Sequence, residues 1–78
     1  MIQCVVASQE ETTHYGNLKS ITLPALDGLM EILPHHAEAF FMLVPGKMVL
    51  RSDNGQTNEI EVKEGCCHVR GDQMIVIL

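Results

Sequence analysis

The stretch Ile21–Ala37 carries two prolines and a glycine, Pro24, Gly28 and Pro34, and they fix a chain reversal within it. Proline sets φ and glycine opens positive φ, so a segment punctuated in this way is held in one turn geometry. It reads as a short strand, a Pro/Asp/Gly turn, a second apolar run at Leu29–Leu33, and a Pro34-His35-His36-Ala37 corner. No catalytic group is evident inside it. A rigid, presented loop of this kind suggests docking rather than chemistry.

The rest of the chain is cut by turn signals into similarly short pieces. Ile2–Ala7 is rich in β-branched residues and reads as a first strand. Glu10–His14 reads as a second, reversing at Tyr15-Gly16-Asn17 into a third over Leu18–Leu23. Ala37, Phe40, Phe41 and Val44 fall at helical spacing, while Ala39, Phe41 and Leu43 share a strand face. Pro34 and Pro45-Gly46 bracket that segment too tightly for a typical helix, and the strand reading is preferred. Asp53-Asn54-Gly55 between Lys47–Ser52 and Thr57–Lys63 is the strongest short hairpin signal a sequence offers. Ile60 and Val62 alternate there with Glu59, Glu61 and Lys63, as on a strand with one wet face. Gly65 breaks the chain, Cys66–Arg70 resumes it, and Gly71-Asp72 turns it into Gln73–Leu78. The expectation is an all-β fold, a small sandwich or flattened barrel of about eight to ten short, mostly antiparallel strands.

At 78 residues this is one domain, residues 1–78. Such a chain buries roughly 60% of its unfolded surface, and its core supplies only ~3–5 kcal/mol. Aromatic residues make up 4% and Trp is absent, so the core must be aliphatic. Two strands nevertheless carry more apolar residues than one core face needs. Met74–Leu78 and Phe40–Val44 are apolar on both faces, and each face needs cover. Either a partner covers the outer faces or these strands sit where the sandwich closes on itself.

A net charge of −5, with Lys19, Lys47, Arg51, Lys63 and Arg70 scattered, argues against nucleic acid or an anionic membrane as partner. The longest apolar run, Ala39–Val44, is far short of the ~20 residues that span a bilayer. Gln3 and the polar Ser8–Thr13 break any signal peptide, which points to a cytoplasmic or cytoplasm-facing location. Cys4, Cys66 and Cys67 leave one thiol over in any pairing scheme, and neighbouring residues on a strand point to opposite faces. They read as reduced cysteines. His35, His36 and His68 with the cysteines show no Cys-x-x-Cys or His-x-x-x-His spacing, so no metal site is expected. His68, two residues after Cys66, is the only hint of a nucleophile and base, and core or surface neighbours are the commoner meaning. No cofactor and no catalytic residue is expected.

With strands and corner laid out, the chain resembles the N-terminal β-sandwich domain of the epsilon subunit of F-type ATP synthases, called delta in mitochondria. The resemblance rests on Leu23-Pro24, Gly28, Ile32-Leu33-Pro34-His35-His36-Ala37, Pro45-Gly46, Gly65 and Ile75-Val76-Ile77-Leu78, in that order. It covers nearly the whole chain. The departures are Leu29 for an acidic residue, Glu31 for the second loop glycine, His35 for Gly or Asn, and Gly65-Cys66 for Gly-Gly. No proline stands near Ser8 at the exit of the first strand.

The resemblance implies a non-catalytic central-stalk subunit that couples the gamma subunit to the membrane c-ring, peripheral on the cytoplasmic side of the membrane. The alternative is a stand-alone β-sandwich binding module. The family's C-terminal helical hairpin would begin at Leu78 and is expected to be absent. Gly28, Leu29, Met30 and Glu31, pinned by Pro24 and by the Pro34, His35 and His36 corner, are expected to form a ring-docking loop at one end of the sandwich. Phe40, Met42, Ile75 and Ile77 are the candidates for a gamma-facing surface.

Overall fold

Alternation of apolar and polar residues at a period of two is satisfied in strand after strand. The computed structural model, which describes residues 1–78, is all-β. Its eight strands are β1 (Ile2–Ala7), β2 (Thr12–Ala25), β3 (Gly28–Ile32), β4 (His36–Leu43), β5 (Gly46–Ser52), β6 (Thr57–Val62), β7 (Gly65–Gly71) and β8 (Gln73–Ile77). They form one continuous sheet in the order β1-β8-β7-β4-β2-β5-β6, with β3 also on β2 and β1 returning to β2. Every pairing is antiparallel except β1 with β8.

Strand β2 allows one sheet to enclose a core. Its fourteen residues would stretch to roughly 45 Å at ~3.3 Å each. The Cα envelope measures 27 × 26 × 17 Å, so β2 must bend. Its first half pairs with β1 and its second half with β3 and β5, so the sheet doubles over. The bend lies at Gly16-Asn17. Asn17 has φ 55°, and the register shifts nearby against both β1 and β5. The reversal expected at Tyr15-Gly16-Asn17 is therefore a bulge in a continuous strand, because a left-handed residue can kink a ladder without ending it.

The segment after Pro24 also differs from a loop. Leu29–Glu31 belongs to β3, which pairs with Thr22–Pro24 across a tight turn at Leu26-Asp27. Gly28 closes that turn at φ 121°, a conformation that L side chains rarely adopt. His36–Leu43 is a strand, as its bracketing prolines suggested.

Sixteen buried residues make the core, all aliphatic or sulfur-bearing, with Tyr15, Met30, Phe41, Ile60 and Leu78 packed at its margin. Cys4 and Cys67 are buried members of it and all three cysteines are free. Burial pushes the Cys4 and Cys67 thiols up to about 12, because a thiolate there would lose its hydration. No buried side-chain polar atom lacks a partner. No helix is long and apolar enough to cross a membrane.

Candidate docking surfaces

The two strands with two apolar faces lie on the same layer. In β8, Met74 and Val76 point into the core while Ile75 and Ile77 are 47% and 53% exposed. In β4, Leu43 is buried while Phe40 and Met42 are 75% and 62% exposed. The outer faces are therefore open, and the sandwich does not close there.

Register brings these side chains together. Strand β7 lies between β4 and β8, with Phe40 opposite His68 and His68 opposite Ile75. One step on, Met42 is opposite Cys66 and Cys66 opposite Ile77. Strand β1 extends both rows, placing Val5 beside Ile75 and Ala7 beside Ile77. The result is a mostly apolar platform across four strands, with Gln3, Gln73, Arg70 and Glu38 towards one margin.

Its polar feature is a group that residue types alone did not reveal. The His68 imidazole stacks on the Phe40 ring with centroids 4.1 Å apart and planes 2° from parallel. His68 Nε2 lies 2.8 Å from Glu38 Oε2, where the N–H donates to the carboxylate. Glu38 and Phe40 are two residues apart on β4 and so reach the same face, and His68 faces them from β7. The register that joins them spans thirty residues of sequence, which is why spacing gave no sign of it.

The stretch expected to form one docking loop is spread along a strand. Gly28 is opposite Ala25, which in turn is opposite Leu43 at the far end of β4. His36, at the start of β4, is opposite Gly71. The turn and the corner are thus separated by most of β4, about 20 Å at ~3.3 Å per residue. They are not at one end of the sandwich, because Leu29–Ile32 runs as β-strand between them. Leu29 and Glu31 are exposed along one side of β3, and Leu33 just past its end is exposed too, while Met30 is half-buried and Ile32 is core. Beside the turn, Ala25, Leu26, Asp27, Met30, Phe40 and Met42 line a shallow cleft of about 210 Å³.

The corner itself is rigid. His35 takes φ 65°, and its backbone N–H donates to Asp72 Oδ1 at 2.7 Å, tying the corner to the β7–β8 turn. That bond, with smaller contributions from the His35 side chain and the N-terminal ammonium, holds the Asp72 carboxyl below its usual range. His36 donates from Nδ1 to the Ala37 carbonyl at 2.6 Å and turns its ring edge to Phe41. It braces the corner.

Nothing here gathers reactive groups. His36 leans on Phe41 and His68 on Phe40, which project to opposite sides of β4, and no three metal-ligating side chains come together. His68 uses its Nε2 on Glu38. The arrangement offers contact area and fixed turns.

The family described as "ATP synthase, Delta/Epsilon chain, beta-sandwich domain" matches residues 1–78. The ATP synthase epsilon chain of Alkalilimnicola ehrlichii is 29% identical over 72 residues, covering 92% of this chain and 51% of the relative. That of Bordetella petrii is 33% identical over 81 residues, covering 95% and 57%. Among solved structures, a chain of the Euglena gracilis mitochondrial ATP synthase (OSCP/F1/c-ring) superposes with a TM-score of 0.89 at 20% identity, covering 97% of this chain and 49% of that one. The last is a likeness of fold. The chain spans about half the length of the curated relatives it matches.

Proposed function

The chain belongs to the β-sandwich family of ATP synthase delta and epsilon chains, and from that premise we propose that it is a non-catalytic rotor subunit. It joins the gamma subunit to the c-ring of a rotary ATP synthase, peripheral on the cytoplasmic side of the membrane. The observation that carries this reading is the extent of the family match, every residue from 1 to 78. The platform of Phe40, Met42, Ile75 and Ile77 is the gamma-facing surface. Apolar faces left over from a core mark interfaces, and a core of this size gains stability from a partner that binds only the folded state. The side presented by β3 meets the ring, from Gly28, Leu29, Met30 and Glu31 to the Pro34-His35-His36 corner. Strand pairing, the tight turn and the Asp72 tether fix that side before contact, so little ordering entropy is lost on docking.

The test is co-purification with the cognate gamma subunit, followed by reconstitution of ring attachment. The chain should elute with gamma, and Glu31→Lys should weaken ring attachment and change its salt dependence with little change in melting temperature. Ring binding untouched by both Glu31→Lys and Leu29→Asp would move the ring contact elsewhere. Failure to bind gamma at all would leave a free-standing sandwich module.

A further inference from the structure

We infer that His68 takes up a proton when the gamma subunit docks on the platform, so that this rotor contact tightens as pH falls. The inference rests on the gamma-facing reading of Phe40, Met42, Ile75 and Ile77.

Phe40 is the most exposed of the platform's large apolar side chains, and His68 is stacked flat against it. Glu38 Oε2 is 2.8 Å from His68 Nε2. Any partner that buries Phe40 therefore takes the imidazole and the carboxylate out of water with it. In the free chain the Glu38 and His68 side chains are 55% and 32% exposed, so water still solvates the carboxylate.

Covering the group separates its two protonation states in energy. With a neutral imidazole the buried unit carries a full negative charge answered by one neutral N–H donor. With an imidazolium the unit is net neutral and the bond is charge-assisted. A lone desolvated carboxylate is the costlier of the two. The phenyl face of Phe40 also favours a cation stacked on it. Both effects favour the charged imidazole in the complex. Imidazole is the side chain whose charge changes between about pH 5 and 8, so the preference falls where cells vary.

The other groups facing His68 do not reverse the sign. Strand β8 presents Gln73, Ile75 and Ile77, none of them titratable, and β1 beyond it presents Gln3, Val5 and Ala7. Strand β4 presents Glu38. On β7 itself Cys66 and Arg70 flank His68 on the same face, and the exposed Arg70 disfavours the proton. Arg70 forms no ion pair with Glu38 and no hydrogen bond to His68, whereas Glu38 Oε2 lies 2.8 Å from the ring nitrogen, so the nearer carboxylate sets the sign.

Sign and size follow from linkage. A group whose pKa is higher in the complex than in the free chain strengthens binding as pH falls through that interval. One proton gives at most about tenfold in Kd per pH unit. The experiment is calorimetric titration of the 78-residue chain with the cognate gamma subunit at pH 6, 7 and 8. Each titration is repeated in two buffers of different ionisation enthalpy, so that proton uptake is read directly. The wild-type chain should take up a fraction of a proton and bind several-fold tighter at pH 6 than at pH 8. His68→Gln and Glu38→Gln should both lose that uptake and its pH slope. Binding with no proton uptake, or an uptake that His68→Gln leaves unchanged, overturns the inference and leaves the gamma reading standing. No binding at any pH overturns the gamma reading, and the inference with it.

Discussion

Replacing Phe40 by Ala tests whether the exposed face of β4 serves a partner or the fold. Complete burial of a phenylalanine side chain is worth roughly 1.5–3 kcal/mol. Three quarters of Phe40 is open in the free chain, so about 1–2 kcal/mol of that remains for a partner to collect. That corresponds to a roughly five- to thirtyfold weaker Kd for the gamma subunit, since every 1.4 kcal/mol is about tenfold. Folding should lose less. Phe40 gives up its stack on His68, a loss on the order of 1 kcal/mol or less, or at most about 4–8 °C in melting temperature for a domain of this size.

The control is Met74→Ala in β8. Met74 lies next to exposed Ile75 but is itself buried. Truncating it should cost about 2–5 kcal/mol, comparable to the ~3–5 kcal/mol a core of this size supplies. That variant should melt far below the parent or fail to fold. Thermal melts followed by far-ultraviolet circular dichroism read stability, and titration with gamma reads affinity. If Phe40→Ala destabilises the isolated chain as severely as Met74→Ala, the platform is structural. If gamma binds Phe40→Ala as tightly as the parent, its docking surface lies on another side.

Three further outcomes follow from the same geometry. Cys66 is exposed, whereas Cys4 and Cys67 are buried with thiols pushed up to about 12; iodoacetamide at pH 8 should add one label to the native chain and three in urea, by intact mass. Asp72 has its carboxyl lowered chiefly by the His35 N–H, so its contribution to stability is present above the unfolded value of about 3.9 and lost as pH falls through the lower folded value. Acid-unfolding curves of the parent and Asp72→Asn should therefore differ most near neutrality and converge towards pH 2. Gly65→Ala would put a Cβ against the backbone oxygen of Ile77, and the strain of forcing β7 and β8 apart should cost about 1–3 kcal/mol, read as a lower urea midpoint.

How much of this could be read from the sequence depends on how local the determining signal is. The β5–β6 hairpin was legible because Asn54-Gly55 has few other uses and its flanks alternate. Strand β4 was legible because Pro34 and Pro45 leave no room for a full helix. The single β2 was not, since Tyr15-Gly16-Asn17 suits a reversal as well as a bulge. The choice between them is made by β1 and β5, which pair on either side of the kink. Strand β3 was hidden for a related reason: Gly28 and Pro34 delimit it, and delimiting residues look like loop. The exposed outer faces of β4 and β8 were legible as an excess of apolar side chains on those two strands. What those side chains surround, the His68–Glu38 pair, required the β4–β7 register and could not be found from spacing.

The distribution of aromatic residues supports an interface on physical grounds separate from the family match. The chain has one Tyr and two Phe, and its core is closed almost wholly by aliphatic side chains, with Tyr15 and Phe41 at the margin. A domain this small would gain most by burying every aromatic ring it has, because rings bring the largest apolar area per residue. Phe40 does the opposite. It stands 75% exposed in the middle of a strand, on a face where strands that meet only water carry polar residues. Its row neighbours Ile75 and Val5, and the adjoining Met42 and Ile77, are apolar as well. Isolated exposed apolar residues need no explanation, but a contiguous block across four neighbouring strands does. The inward face already accounts for folding, so the outward face has to be explained by what covers it.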